Sequence, residues 1–211
     1  MSIKADCHLH SSHSGDSDAS MEEMIQKGIA LGLTHMCFTE HNDFDFPVSE
    51  DTPQGMFELN PDAYLYDLIR LREKYAGQIR ILFGVELGLQ PHLMRQNAIF
   101  AKNHDYDFII GSSHVCGGQD PYYPAFYEGR SQEEAYREYF QSVIENLKKF
   151  AGVRYDNNSM EVIFTPSVLL SLKALSAVVK SLSVFFYTAD YTHKRGEEQE
   201  HMKNMVNMHS K

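Results

Sequence analysis

Cysteines, basic side chains and long uncharged apolar runs are all scarce in this chain. Its three cysteines, Cys7, Cys37 and Cys116, are too few and too scattered for a disulfide framework. They suit a reducing compartment, and a cytoplasmic location is expected. Against 29 Asp and Glu there are only 19 Lys and Arg, a formal net charge of −10 over 211 residues. A nucleic-acid surface needs a basic stripe, so no nucleic-acid partner is expected; bound divalent cations would offset part of the acidic excess. The opening residues, Met1 to Asp6, hold no apolar segment of the signal-peptide kind. The most apolar stretch, Ser167 to Tyr187, is interrupted by Lys173 and Lys180 and carries five serines. A spanning helix needs about 20 mainly apolar residues without central charge. The stretch therefore reads as core helix or strand, and no membrane is expected. Glycine-rich phosphate loops of the dinucleotide or P-loop type are missing after the first strand, as are internal repeats and low-complexity tracts.

What is present is enough apolar sequence for a core, 43%, in strand-then-helix order. Strands are predicted over Ile3–His10, Thr34–Thr39, Ile79–Leu87 and Phe108–His114. Helices are predicted over Met21–Leu31, Asp62–Tyr75, Met94–Lys102 and Gln132–Phe150. Ser20 with Glu23, and Ser131 with Glu134, have the spacing of a capping box, and Gly32 and Gly77 mark helix ends. Leu65, Leu68, Ile69 and Leu71 form the apolar face of the second helix. Serial βα units with short connections imply parallel strands and right-handed crossovers, hence an α/β fold, either an open sheet or a barrel. The segment Asn42–Asn60 is long for a connection and is a candidate functional loop.

Eleven histidines are many for this length, and their placement matters more than their number. In Asp6-Cys7-His8-Leu9-His10, alternation along a strand puts His8 and His10 on one face, with Asp6 a step behind. Two adjacent imidazoles at a strand end suit a borderline metal; alone, the pair could equally be surface histidines at a turn. The other strand ends decide between the two. They run Thr39-Glu40-His41-Asn42-Asp43, Gly84-Val85-Glu86-Leu87-Gly88 and Ser112-Ser113-His114. Parallel βα folds place their sites at these C-terminal ends, and a lone carboxylate in an apolar strand needs a partner, which a cation would supply. His8, His10, His41, Glu86 and His114 are therefore read together as a metal-binding set. Asp16 could join it or serve as a turn residue, and His13 competes for the same role. His35, His92 and His104 are expected in solvent. Cys116 reads as a buried thiol or a soft ligand, and Tyr122 and Tyr123 as substrate contacts or loop packing.

The ordered series Asp6-Cys7-His8-Leu9-His10-Ser11, Ser14-Gly15-Asp16-Ser17, Thr39-Glu40-His41, Gly84-Val85-Glu86-Leu87-Gly88 and His114-Val115 resembles the polymerase-and-histidinol-phosphatase (PHP) superfamily. Gly117-Gly118 and Asp120-Pro121-Tyr122-Tyr123, followed by a helix with Ala135-Tyr136 and Tyr139-Phe140, resemble its histidinol-phosphatase branch. The resemblance covers about residues 1–150. It implies a distorted (β/α)7 barrel holding up to three divalent ions of zinc, iron or manganese. By motif match His8, His10 and Glu86 hold one ion, Glu86 bridges to a second shared with His114, and Asp16 and His41 hold the third. Glu86 and His114 are thereby the implied catalytic residues. The implied reaction is hydrolysis of a small phosphate monoester, L-histidinol phosphate, to L-histidinol and phosphate, late in L-histidine biosynthesis. A PHP-type phosphodiesterase or exonuclease, and an inactive metal-binding remnant, are the alternatives.

Residues 151–211 depart from that pattern. The family continues with a strand ending Gly-His-x-Asp and, later, an Asp-x-His. Here Phe150 is followed by Ala151 to Asn158, and no histidine occurs between His114 and His193. Asp190 and His193 are spaced three apart, which on a strand faces them oppositely. The tail is therefore expected to be divergent, frame-shifted or truncated, and the barrel incomplete.

Overall fold

The computed structural model describes residues 4–150 and 160–161. The apolar stretch at 167–187 and the Asp190/His193 pair lie outside them. Along the chain run β1 (Ala5–Leu9), α1 (Met21–Leu31), β2 (His35–Asn42), α2 (Pro61–Lys74), β3 (Arg80–Gly88), α3 (Met94–Lys102), β4 (Phe108–Ser112), α4 (Gln132–Phe150) and β5 (Met160–Glu161). The five strands lie in the order β1-β2-β3-β4-β5 and every pairing is parallel, a curled half-barrel.

The helices begin and end where local chemistry sets them. Ser20 and Glu23 close a reciprocal capping box on α1, and Gly32 ends it in the left-handed region at φ 79°. Ser131 and Glu134 repeat the box at α4, with Glu134 N–H donating to Ser131 Oγ at 3.3 Å and Ser131 N–H to Glu134 Oε2 at 2.8 Å. Strand limits follow pairing more than composition. β2 runs on to Asn42 because its ladder with β3 continues through His41↔Glu86 and Asn42↔Leu87, past the expected end at Thr39. β4 stops at Ser112, short of His114. Its far side is not an open edge, since Ile109 and Ile110 pair with Met160 and Glu161.

Alternation along the strands sorts the sheet into two faces. Met36 and Phe38 of β2, and Ile81, Phe83, Val85 and Leu87 of β3, join Ile25, Tyr64, Leu68, Leu71 and Phe150 in the main core on the helix side. Burial of each such large apolar side chain is worth about 1.5–3 kcal/mol. Tyr64 also donates its hydroxyl to Phe38 O at 2.8 Å and Gly84 O at 3.1 Å, tying α2 across two strands. Ile69, expected on the buried face, is 53% exposed, because α2 presents Tyr64, Leu68 and Leu71 instead. The alternate residues, Glu86 among them, point to the opposite face. A smaller core of Cys116, Phe126, Ala135, Tyr139 and Val143 seats the N-terminal half of α4. Asn146 then locks that helix over the strand ends, its Nδ2 donating to Leu89 O at 2.8 Å and Ser113 Oγ at 2.7 Å.

Candidate metal centre

Glu86 is the middle of the site. It sits near the end of β3, 1% exposed, and four imidazoles reach its carboxylate. His8 Nε2 lies 3.0 Å and His10 Nε2 3.3 Å from Oε2, His41 Nδ1 lies 3.7 Å from Oε2, and His114 Nε2 lies 3.1 Å from Oε1. Ser112 Oγ donates to Oε1 as well. His10 and His41 stack, with ring centroids 4.4 Å apart, and His41 meets His114 edge-on at 4.9 Å. His8 and His10 do face the same way, although β1 is bulged between Asp6 and Leu9 and is not a regular strand there. Asp6 does not join them; its Oδ1 accepts the His8 backbone N–H at 3.2 Å.

Asp16 completes the sequence-derived set. Its Oδ2 lies 3.4 Å from His41 Nε2. Three overlapping groups of donor atoms, each within 4.8 Å of one another, result: His8, His10 and Glu86; His10, Asp16 and His41; His41, Glu86 and His114. All six residues named from the sequence are thus brought together. His13 is not, because it turns to Asp67, with Nε2 3.3 Å from Oδ2. Cys116 belongs to the smaller core, where burial pushes its thiol up to about 11, and it is in none of the donor groups around Glu86. His92 is exposed beside Asp45, as expected. His104 is not in solvent. It is 17% exposed, pairs with Asp62 at 3.1 Å and packs against Phe83 and Tyr106. Tyr122 is 71% exposed.

Burial and the neighbouring charges act in opposite directions on the groups around Glu86. Burial works against ionised Glu86, but hydrogen bonds from His114 and His8 outweigh it and hold the carboxyl well below the usual range. Burial likewise disfavours charge on His41, yet Asp16 and Asp43 raise it to about 9. His114 is raised well above its ordinary value by Asp43 and Glu86 despite burial. His10, by contrast, is brought down to about 4 by burial and by neighbouring His41. Neutral imidazole Nε2 atoms and ionised carboxylates around one buried oxygen pair are the donors that zinc, iron or manganese take, so the residues fit a divalent metal.

Two residues that sequence reasoning did not assign support the set. Asp43, 3% exposed, accepts from His114 Nδ1 at 2.7 Å and His41 Nδ1 at 3.1 Å. Its only sequence signal is the i+2 spacing from His41. Glu40 is fully buried on the opposite, helix-facing side of β2. It accepts from Ser11 N–H at 2.9 Å, Ser11 Oγ at 2.6 Å and Ser14 Oγ at 2.6 Å. It therefore fixes the loop that carries His10 and Asp16, and is not itself a ligand. The long loop after β2 matters as well, because Phe57 packs edge-on against His41 at 5.4 Å.

A parallel α/β half-barrel whose strand ends gather half-buried histidines around a buried glutamate defines the class. The PHP domain family matches residues 6–156, and the chain belongs to that family. It is 33% identical over 197 residues to the histidinol-phosphatase of Lactococcus lactis subsp. lactis (strain IL1403), covering 86% of this chain and 71% of that protein. A Clostridium acetobutylicum protein named "Probable histidinol-phosphatase" is 29% identical over 143 residues, and the chain spans 52% of its length. The crystal structure of the L. lactis histidinol phosphate phosphatase, complexed with zinc, L-histidinol and phosphate, superposes with a TM-score of 0.69 at 28% identity. That match covers 83% of this chain and 66% of the other. No helix among the described residues is long and apolar enough to cross a membrane.

Proposed function

We propose that this chain is a metal-dependent phosphomonoesterase that hydrolyses L-histidinol phosphate to L-histidinol and phosphate, a late step of L-histidine biosynthesis in the cytoplasm. One observation carries the reading: Glu86 belongs to two of the three donor groups and turns Oε2 to His8 and His10 and Oε1 to His114, so its two oxygens would suit a carboxylate shared by two ions. The L. lactis structure, which holds zinc with L-histidinol and phosphate, supports the metal and the substrate class. In this reading His8, His10 and Glu86 hold one ion, Glu86 and His114 a second, and Asp16 and His41 a third.

Divalent ions held by these residues would supply a water activated near neutral pH, a clamp on phosphate oxygens and charge to offset the leaving alkoxide. The chain's own residues do the rest. Glu86 stays ionised in the buried face and fixes the spacing of the donors around it. His114, set against Glu86 Oε1, is the second member of the catalytic pair. Ser112 holds the Glu86 carboxylate in place, and Asp43 holds the two imidazoles. No side chain in this arrangement has to act as a nucleophile. The chain's net charge of −10 favours a compact monoester over a polynucleotide, whose track should be basic.

The test is phosphate release from L-histidinol phosphate by the zinc- or manganese-loaded protein, with Glu86→Gln alongside. Turnover by the wild type and a loss of at least about 100-fold in the variant are expected, since a bridging ligand serves both ends of the displacement. Cleavage of single-stranded nucleic acid without monoester hydrolysis, or an unaffected variant, would refute it.

A further inference from the structure

Asp43 stands apart from the donor groups, yet it is as buried as Glu86 and touches two of the ligand histidines at once. His41 comes from the end of β2 and His114 from the loop after β4, 71 residues beyond Asp43. Both rings turn Nδ1 to the same carboxylate, at 3.1 Å from Oδ2 for His41 and 2.7 Å from Oδ1 for His114. Both turn Nε2 to a ligand carboxylate, Asp16 for His41 and Glu86 for His114. The two oxygens of Asp43 are thus divided one to each ring.

The fold is built to keep that carboxylate there. The Asp43 backbone N–H donates to Phe57 O at 2.8 Å, which pins the start of the long loop. On the other side lies Gly88, the last residue of β3. A Cβ on Gly88 would stand 2.0 Å from Asp43 Oδ1 and 2.5 Å from its Cγ, so the acid occupies the space that a side chain would fill. Asn97 holds Gly88 in turn, Nδ2 donating to its carbonyl at 3.0 Å.

We propose that Asp43 is a positioning residue that yokes His41 and His114, fixing both as Nδ1–H tautomers with Nε2 as the ligand atom. This rests on the metal reading above. A histidine whose far nitrogen is unheld can rotate or change tautomer, and loss of such a support typically costs 10–100-fold in metal affinity. Because one acid serves two rings, its loss should weaken the second and third ion positions together and spare the His8/His10 position.

The experiment uses the full chain, zinc-loaded, with 15N-labelled histidine, following imidazole N–H correlations and zinc affinity by chelator competition. Two hydrogen-bonded Nδ1–H signals are expected in the wild type, assigned by their loss in His41→Gln and His114→Gln. In Asp43→Asn both signals should shift or vanish, and two zinc positions should weaken 10–100-fold. Gly88→Ala, which leaves every ligand in place, should move both signals in the same sense. A wild-type signal showing Nδ1 ligation of either ring, which needs no variant to fold, overturns the proposal. So does Asp43→Asn with unchanged signals and affinity. Wild-type protein that holds no zinc overturns the metal reading and this one with it, whereas a silent Asp43 variant of a zinc-holding protein overturns this one alone.

Discussion

Two glutamates one residue apart in ladder register lie on opposite faces of the same sheet. Glu40 pairs in register with Val85, and its neighbour His41 pairs with Glu86. Both carboxylates are buried, at 0% and 1% exposure. Glu40 faces the helices and is met by two serine hydroxyls and a backbone N–H. Glu86 faces the opposite side and is met by four imidazoles and a serine. Burial of a carboxylate is tolerated in both places because donors surround it. The donors differ in what they can exchange. Hydroxyls and amides hold their hydrogens, whereas imidazoles can release protons and leave nitrogen lone pairs for a cation. In the proposed reading one glutamate is therefore structural and the other chemical, although both are strand-end residues of the same type.

That contrast breaks most sharply under substitution. Glu86→Gln should lose phosphate release by at least about 100-fold while the apo protein stays folded, because Gln still accepts from Ser112 and one imidazole. Glu40→Gln should do the reverse. It should destabilise by about 1–3 kcal/mol, the usual cost of a compromised buried hydrogen-bond set. For a domain of this size that is a fall in Tm of about 2–4 °C per kcal/mol, readable by calorimetry. A smaller effect is expected when the serines around Glu40 are changed singly. Ser11→Ala or Ser14→Ala should lower Tm by no more than about half as much as Glu40→Gln, since each removes one donor and leaves the others. Equal losses of activity from Glu40→Gln and Glu86→Gln at matched folding would erase the distinction.

The proton inventory sharpens the comparison through pH. His41 is raised from an ordinary 6.5 to about 9 in the metal-free fold. Its contribution to stability is therefore complete below about pH 6.5 and lost as pH rises through about 9. His10 is lowered to about 4, so the fold resists protonating it and loses stability as pH falls from about 6.5 toward 4. The Tm of the metal-free protein should peak near pH 6.5 and decline on both sides. Bound metal should remove the alkaline decline, since cations then stand where the protons stood. A metal-free Tm that keeps rising to pH 9 would contradict the assigned balance.

Much of this was legible in the sequence where the signal is local. The capping boxes at Ser20/Glu23 and Ser131/Glu134 placed α1 and α4 to the residue, because a cap is a contact three residues long. The convergence of five ligand candidates, His8, His10, His41, Glu86 and His114, was also legible, since parallel strands deliver their C-terminal ends to one place whatever the sheet's finer geometry; Asp16, in the loop after β1, was named only through the family resemblance. Contacts set by distant chain were not. Asp43 gave no sign beyond its spacing from His41, because its other partner, His114, arrives 71 residues later. His104 looked like a loop histidine and is enclosed by Phe83 and Tyr106. Ile69 fits a helical stripe, but α2 buries Tyr64 with Leu68 and Leu71 and leaves Ile69 exposed. The end of β2 was missed because strand length followed the β3 ladder and not the run of apolar residues. A fifth strand was missed because Met160 and Glu161 are too short a run to show alternation.

The central claim is that the cluster around Glu86 exchanges protons for divalent cations. Zinc titrated into the metal-free protein at pH 7, in buffers of differing ionisation enthalpy, tests it most directly by calorimetry. Tight binding with net proton release is expected, because Asp16 and Asp43 raise His41 to about 9, Asp43 and Glu86 raise His114 well above its ordinary value, and an imidazole must shed its extra proton to act as a ligand. Release should fall sharply in Glu86→Gln and stay unchanged in Glu40→Gln. Zinc binding without proton release, or release that survives Glu86→Gln intact, would show that the metal sits elsewhere and that Glu86 is no more chemical than Glu40.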